Sequence, residues 1–206
     1  MRFSSEVKGK SALAISRDLG LSYKAAFVLL HKLREAMAEE MKGRKLGGEG
    51  IVAEVDGGYF GGYVKPANHV ENRRDRRLAR NQTGKRKAVV IIRERNGRSL
   101  PAVFRTEGQA LSFIRARIAK GTIINADLNG ACTNWAEEFF SRMRRAEAGH
   151  HHHIAGPYLL RYAQEASWRE DHRRISNGDQ IDMVSGLAMK RGPSVDFSGY
   201  WQRRSV

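Results

Sequence analysis

The sequence predicts an α/β protein in which a mixed β-sheet with flanking helices follows a small helical region. Its first 41 residues show only helical periodicity, whereas apolar, strand-like runs begin after residue 50 and alternate with helical patterns further on. A basic, glycine-containing linker, "KGRKLGGEG", separates the two parts. We therefore expect a helical region over residues 1–45 and a larger α/β domain over residues 50–206.

The composition indicates a polyanionic partner. Lys and Arg number 37 against 22 Asp and Glu, which gives a formal charge of +15. Such a charge favours nucleic acid first and an anionic membrane surface second. No apolar run approaches the roughly 18 residues that a membrane span needs, and the N-terminus lacks the apolar centre of a secretory signal. We expect a soluble, cytoplasmic protein with no membrane partner. Because Cys132 is the single cysteine, an internal disulfide and a zinc site of paired cysteines are both excluded.

Residues 10–41 predict two helices joined by the turn "LGLS", with Gly20 ending the first helix and Ser22 capping the second. A short glycine-containing turn between helices is typical of a helix-turn-helix motif. The pattern alone leaves any other helical hairpin open, but the basic side chains favour DNA. The candidate DNA contacts in this region are Lys24, Lys32 and Arg34.

The stretch "IVAEVDGGYFGG" predicts a strand from Ile51 to Val55 that ends at Asp56, then a Gly57-Gly58 turn and a second strand of a hairpin. A densely basic segment without apolar periodicity follows over residues 65–87. Such a run is often simply solvated, but its single sign favours phosphate contacts. The candidate contacts are Arg73, Arg74, Arg76, Arg77, Lys85, Arg86 and Lys87.

The rest of the chain continues the α/β pattern. Residues 88–104 predict a hairpin with an Asn96-Gly97 turn. A helix after residue 106 should follow, and residues 122–127 form another apolar strand that ends at Asp127. The residues expected to face inward on that helix are Ala110, Leu111, Ile114 and Ile118. Three further helical segments follow residue 133.

Asp56 and Asp127 each come directly after an apolar strand. Strand ends are where ligands gather in open α/β sheets, and two adjacent carboxylates repel unless a cation lies between them. Magnesium, which prefers oxygen ligands, would suit such a pair. The alternative is that both aspartates only favour turns, because a short carboxylate hydrogen-bonds nearby backbone amides. The spacing leaves both interpretations open.

The blocks "VDGGYFGG", "INAD" and "TNWAEEFFSRMRRAEAG" resemble bacterial insertion-sequence transposases of the ISXO2-like group. The resemblance implies a ribonuclease-H-like catalytic domain with an Asp, Asp, Asn (or Glu) and Lys signature. Asp56 and Asp127 match the two metal-binding aspartates, and Asn134 matches the third metal ligand, with Glu137 one helical turn further on. Arg144 stands at the position of the family's lysine. A site for two Mg²⁺ or Mn²⁺ ions is implied.

The same resemblance implies metal-dependent DNA cleavage and strand transfer by a homo-oligomer, acting on an element's terminal inverted repeats and on target DNA. The family usually begins with a cysteine-paired zinc ribbon, so the chain is expected to begin late. Only residues 128–133 separate Asp127 from Asn134, where the family has several tens of residues. An internally deleted copy is therefore implied.

Two rival interpretations remain open beside an active transposase. One is an inactive remnant that only binds DNA, and the other is a basic, metal-independent binding module. The histidine run at residues 150–153 favours a loop or helix entry near DNA over a transition-metal site, because consecutive side chains on a helix face different directions.

Overall fold

The computed structural model describes residues 9–61, 69–72, 86–126, 134–151, 154 and 156–198. Within these ranges, strands and α-helices alternate after an all-helical start, as the sequence predicts. The regular elements are α1 (Ala12–Leu19), α2 (Tyr23–Glu39), β1 (Val52–Phe60), β2 (Lys87–Glu94), β3 (Ser99–Phe104), α3 (Leu111–Arg117), β4 (Ile123–Ala126), α4 (Asn134–Ala146), α5 (Leu159–Asp171) and α6 (Asn177–Lys190).

The four described strands form one mixed sheet in the order β3-β2-β1-β4. β1 pairs antiparallel with β2 and parallel with β4, and the parallel register ends with Val55 opposite Ala126. β2 and β3 form the predicted hairpin, in which Asn96 takes a left-handed conformation with φ of 59°. Asparagine tolerates that conformation better than most residues. The mixed α/β class is confirmed.

The predicted turn at Gly57-Gly58 is wrong, because β1 runs without interruption through both glycines and pairs with β2 as far as Phe60. The glycines allow close packing instead of a turn. A Cβ atom at residue 57 would lie 2.6 Å from the Glu107 carboxyl carbon, and one at residue 58 would lie 3.0 Å from the Phe140 ring. The predicted first hairpin is therefore a single strand.

The core lies on both faces of the sheet. β2 is buried along six consecutive residues, and its side chains alternate between the faces. Val90 and Ile92 join a cluster with residues of α2, whereas Val89 and Ile91 join a second cluster with residues of α4 and α5. The central strand is thus covered by helices on either side, and this places α4 directly against the sheet.

Both N-terminal helices are capped by serine, and the cap at Ser22 was predicted. Ser11 accepts a hydrogen bond from the Ala14 amide at 3.1 Å, and Ser22 accepts one from the Ala25 amide at 3.2 Å. Gly20 ends α1 in a left-handed conformation with φ of 63°. Helix α2 packs against α1, α5 and α6, and about half of its residues are buried. It is therefore a central helix of the described fold. The prediction that residues 1–45 bind DNA as a region of their own stays a prediction.

The segment between β3 and β4 differs from the predicted helix in one respect. A short 3₁₀ turn, Glu107–Ala110, precedes α3. Ala110 is buried and Ile114 packs against the core, as expected, but Leu111 is 53% exposed, so its inward placement was wrong. The change from 3₁₀ to α geometry shifts the helical phase, because the two forms rotate differently per residue.

Strand β4 lies at one edge of the described sheet. It is only four residues long and pairs with β1 along one side. Its two isoleucines are unusually accessible for strand residues, with Ile123 53% and Ile124 49% exposed. Because successive strand residues point to opposite faces, both faces of the sheet are open at this edge.

Candidate active site between β1 and α4

Asp56 lies on the face of β1 that is turned toward α4. Strand alternation places Glu54, Gly58 and Phe60 on this same face. The Asp56 carboxylate is half-buried and accepts a hydrogen bond from the Gly57 amide at 2.7 Å. Asp56 also comes directly after Val55, the last residue of β1 in the parallel pairing with β4. Asp56 therefore lies one residue beyond the part of β1 that pairs with β4, in the part that pairs with β2.

Helix α4 presents a polar face to this part of the strand. Asn134, Glu137 and Arg144 are all exposed and recur at helical spacing, so they share one side of the helix. The opposite side is apolar and buried against the sheet and α5 through Ala136, Phe139, Phe140, Met143 and Ala146. The amphipathic pattern thus fixes which side chains of α4 face solvent above β1.

An open cavity of about 620 Å³ lies between β1 and α4. It contains four of the five predicted catalytic residues, namely Asp56, Asn134, Glu137 and Arg144. The fifth, Asp127, lies outside the described residues. The other lining residues are Gly57, Glu138, Phe140 and Ser141. Residues far apart in the chain are therefore brought to one place.

Two glutamates near the cavity, Glu107 and Glu138, have pKa values shifted in opposite directions. Burial, together with the negative charge of Asp56, raises the pKa of Glu107. Burial would also raise the pKa of Glu138, but the hydrogen bond and charge of Arg142, with Arg93 and Arg173, hold it below its usual range. Asp56 and Glu107 therefore act on one another as like charges, and a cation near Asp56 would reduce that repulsion. Glu107 was missed at the sequence level, because nothing near it in the chain indicates its position beside Asp56.

Arg144 lies over aromatic rings at the cavity wall. Its guanidinium carbon is 5.7 Å from the centre of the Phe60 ring and 6.0 Å from that of Phe140. A guanidinium can stack on aromatic faces in a way that a lysine ammonium does less well. The aromatic surface therefore accommodates an arginine where the resembled family has lysine.

The donor set of the cavity fits a hard divalent cation. Asp56 and Glu137 offer carboxylate oxygens and Asn134 offers an amide oxygen, which are ligands that Mg²⁺ and Mn²⁺ accept. Within the described ranges, no group of three or more His, Cys, Asp or Glu side chains could hold a metal ion. A metal site here would therefore draw on the Asn134 amide or on a residue beyond those ranges.

The predicted DNA contacts have different surroundings. Lys24 and Lys32 are exposed on α2. Arg34 is only 1% exposed and donates to Glu165 at 2.5 Å, so it is not available to DNA and its assignment as a contact is corrected. Arg86 and Lys87 are half-buried at the start of β2. The remaining candidates, Arg73, Arg74, Arg76, Arg77 and Lys85, lie outside the described residues.

The histidine run is only partly described. His150 and His151 belong to a π-helical turn, Glu147–His151, that follows α4, and His152 and His153 lie outside the described residues. The His151 ring lies 4.7 Å from the ring of Tyr162, and burial, opposed by Glu165 and reinforced by Arg34, lowers its pKa to about 4. His151 is therefore neutral near pH 7. Whether the run approaches DNA stays a prediction.

The sequence matches the ISXO2-like transposase domain family over residues 45–131 and 128–171. These segments cover more than half of the chain and include β1, the sheet and α4. A mixed sheet with Asp56 and Asn134 at one cavity fits the ribonuclease-H-like domain of DDE-type transposases. The chain belongs to the ISXO2-like transposase family. Neither a search of curated proteins nor one of solved structures gave a match.

Membership in this family carries two general consequences. Transposases have DNA as their partner, and DDE-type members generally use divalent metal ions. Among the described helices, none combines the length and apolar character needed to cross a bilayer. By its family, the protein is thus a transposase whose partner is DNA.

Proposed function

We propose that this protein cleaves DNA strands at the ends of an insertion sequence and transfers them to target DNA, with Mg²⁺ or Mn²⁺ ions held at Asp56, Asp127 and Asn134. The observation that carries the proposal is the cavity between β1 and α4, which Asp56, Asn134, Glu137 and Arg144 all line. This action would take place in the cytoplasm, on bacterial DNA, by a multimer of the chain.

The strand register supports the pairing of the two aspartates. Val55 lies opposite Ala126 at the end of the parallel pairing, and Asp56 and Asp127 are the next residues in sequence. Carboxylates that follow neighbouring parallel strands belong to the same edge of a sheet. After burial, the charge of Asp56 is the second cause that raises the pKa of Glu107, so Asp56 already acts on one neighbouring carboxylate.

Each cavity residue has a distinct role in the proposal. The carboxylates of Asp56 and Asp127 and the amide oxygen of Asn134 are the metal ligands, and Glu137 adds negative charge on the same side of α4. Arg144, stacked near Phe60 and Phe140, contacts a DNA phosphate. Divalent ions bound at such a site would lower the pKa of an attacking water and stabilise the leaving oxygen of the phosphodiester.

Nicking of end-labelled DNA carrying the element's own ends, with Mn²⁺ or Mg²⁺, tests the proposal. Asp56→Asn should reduce the nicking rate by about 10³-fold, because the loss of several kcal/mol of charge stabilisation corresponds to that factor. Asp182→Asn is the matched control, since Asp182 is an exposed aspartate of α6. Equal nicking by the natural chain and Asp56→Asn would refute the metal role of Asp56.

An inactive remnant that only binds DNA is the second candidate. The family match divides into two segments that meet at residues 128–131, between β4 and α4. This is also where only six residues separate Asp127 from Asn134. The remnant predicts DNA binding by the natural chain without nicking in either metal, and binding that Asp56→Asn leaves unchanged.

A further inference from the structure

Glu54 is a carboxylate in the middle of the sheet that has no solvent exposure at all. It lies two residues before Asp56 on β1, on the same face of the strand. A charged group is costly to bury unless hydrogen bonds compensate it. Its partners therefore indicate what the buried charge does.

Those partners are the first backbone amides of α4. The Oε2 atom of Glu54 accepts hydrogen bonds from the Trp135 amide at 2.9 Å and the Ala136 amide at 3.1 Å. Amides in the first turn of a helix have no acceptor within the helix, and negative charge is favoured there. The other oxygen, Oε1, accepts from Arg95 Nε at 3.0 Å. Glu54 thus caps α4 from the sheet, although more than 80 residues separate them in sequence.

Arg93, which faces Glu54 directly across the β1–β2 pairing, binds the same residue of α4. Its Nη1 atom donates to the Trp135 carbonyl oxygen at 2.6 Å, and its guanidinium carbon lies 5.0 Å from the Trp135 ring centre. Arg93 is itself held by Glu170 at 2.6 Å. The amide of Trp135 is therefore fixed by β1 and its carbonyl by β2.

We propose that Glu54 is a positioning residue that holds Asn134 over Asp56 by fixing the first turn of α4 to β1. Asn134 immediately precedes Trp135, and Asp56 follows Glu54 by two residues, so one side chain sets the distance between the two metal-binding positions. The inference rests on the proposed function of this cavity. The same contacts attach the first turn of α4 directly to the sheet.

Mn²⁺ binding to the full chain, followed by electron paramagnetic resonance, tests the positioning role. Glu54→Ala should weaken Mn²⁺ binding by about 10- to 100-fold, the usual effect of losing a group that orients a metal ligand. Glu54→Asp keeps the charge but shortens the side chain, so it should weaken binding by a smaller factor and can replace the alanine variant if that one does not fold. Glu54→Gln keeps an acceptor oxygen for the α4 amides but turns its NH2 group toward Arg95, so it should lose less affinity than Glu54→Ala.

Asp171→Ala is the matched control. Asp171 is also a buried carboxylate that accepts from a backbone amide, that of Ser99 at 3.0 Å, and from an arginine, Arg44 at 2.8 Å, but it lies outside the cavity. This control should lower thermal stability and leave Mn²⁺ affinity unchanged. Equal loss of Mn²⁺ affinity in Asp171→Ala and Glu54→Ala would overturn the positioning role, because general destabilisation would then account for both.

Two further readouts separate this inference from the proposed function. In an Asn134→Ala background, Glu54→Ala should cause no additional loss of Mn²⁺ affinity, and a full additional loss would overturn the inference. If the natural chain neither binds Mn²⁺ nor nicks DNA, the proposed function fails. Amide hydrogen exchange at Trp135 and Ala136 then decides on Glu54: faster exchange in Glu54→Ala than in Asp171→Ala supports the cap, and unchanged exchange refutes it.

Discussion

Two clusters of charged side chains in this protein have similar compositions and opposite surroundings. In the helical layer, Arg34, Glu165 and Arg169 are all nearly inaccessible to solvent. Both arginines donate to the Glu165 carboxylate, Arg34 at 2.5 Å and Arg169 at 2.9 Å. Burial would raise the pKa of Glu165, yet the two arginines hold it at about 2. Around the cavity, Asp56 and Arg144 instead line a space open to solvent.

The difference teaches which charges can serve a ligand. In the buried cluster both arginines bind the one carboxylate of Glu165, and the cluster's contribution is to the folded state. In the cavity, Asp56 and Arg144 line a space open to solvent, so a cation can approach Asp56 and a phosphate can approach Arg144. Residue type alone does not separate the two cases, since both combine arginine with acidic side chains.

The largest expected effect comes from breaking the buried cluster. Glu165→Ala should lower the free energy of unfolding by about 3–5 kcal/mol, because Arg34 would be left buried without its partner. Urea denaturation measures this value. Glu39→Ala, which removes an exposed partner of Lys42 at 3.6 Å, should cost less than about 1 kcal/mol. Similar values for both variants would contradict the contrast between buried and open clusters.

The next effect is a pH dependence that comes from the buried side. Burial, with the charges of Arg34 and Arg161, lowers the pKa of His31 from 6.5 to about 3. Neither ring nitrogen of His31 has a hydrogen-bond partner among the described residues. Below pH 6.5 the unfolded chain therefore binds a proton that the folded chain does not. His31 should therefore lower the free energy of unfolding by at most about 1.4 kcal/mol per pH unit as the pH drops from 6.5 toward 3.

His31→Phe should remove this part of the acid sensitivity and keep the aromatic packing against Phe27, Tyr158 and Phe197. Urea denaturation at pH 7, 6 and 5 gives the slope for each protein. His151, whose pKa is lowered to about 4, should leave a residual slope of the same sign in the variant. An identical slope for the natural chain and His31→Phe would show that His31 does not titrate as described.

The smallest expected effect concerns the open cluster. Arg144→Ala should weaken DNA binding about fivefold, or about 1 kcal/mol, and reduce the salt dependence of the affinity by about one phosphate contact. Arg144→Lys should keep the salt dependence and lose only the stacking on Phe60 and Phe140. Fluorescence anisotropy at several salt concentrations measures both quantities. Arg115→Ala, an exposed arginine of α3, is the control, and an equal change there would remove the special role of Arg144.

Periodicity and local turn chemistry predicted much of the fold. The Asn96-Gly97 hairpin, the helix stop at Gly20 and the cap at Ser22 depend on residues close in sequence, so the sequence was sufficient for them. The uninterrupted β1 was not predictable in that way. Its glycines lie close to Glu107 and Phe140, which are distant in the chain, and a glycine pair otherwise indicates a turn.

The candidate site shows the same division. Asp56, Asn134 and Arg144 were found from motifs, and the cavity brings them together. Arg34 was misassigned because its partner, Glu165, lies 131 residues away. Glu54 left no clear signal, since Ala53, Glu54, Val55 and Asp56 alternate apolar and polar side chains, as in a strand with one solvated face. Only the position of α4 shows that this carboxylate is a helix cap.

The accessible isoleucines of β4 have a consequence for how the protein behaves in solution. An edge strand displays a row of free backbone donors and acceptors, and apolar side chains beside that row make it a template for pairing with other chains. Ile123 and Ile124, about half exposed, have neither the charge nor the proline that usually protects such an edge. Concentrated preparations should therefore be prone to aggregation by strand addition.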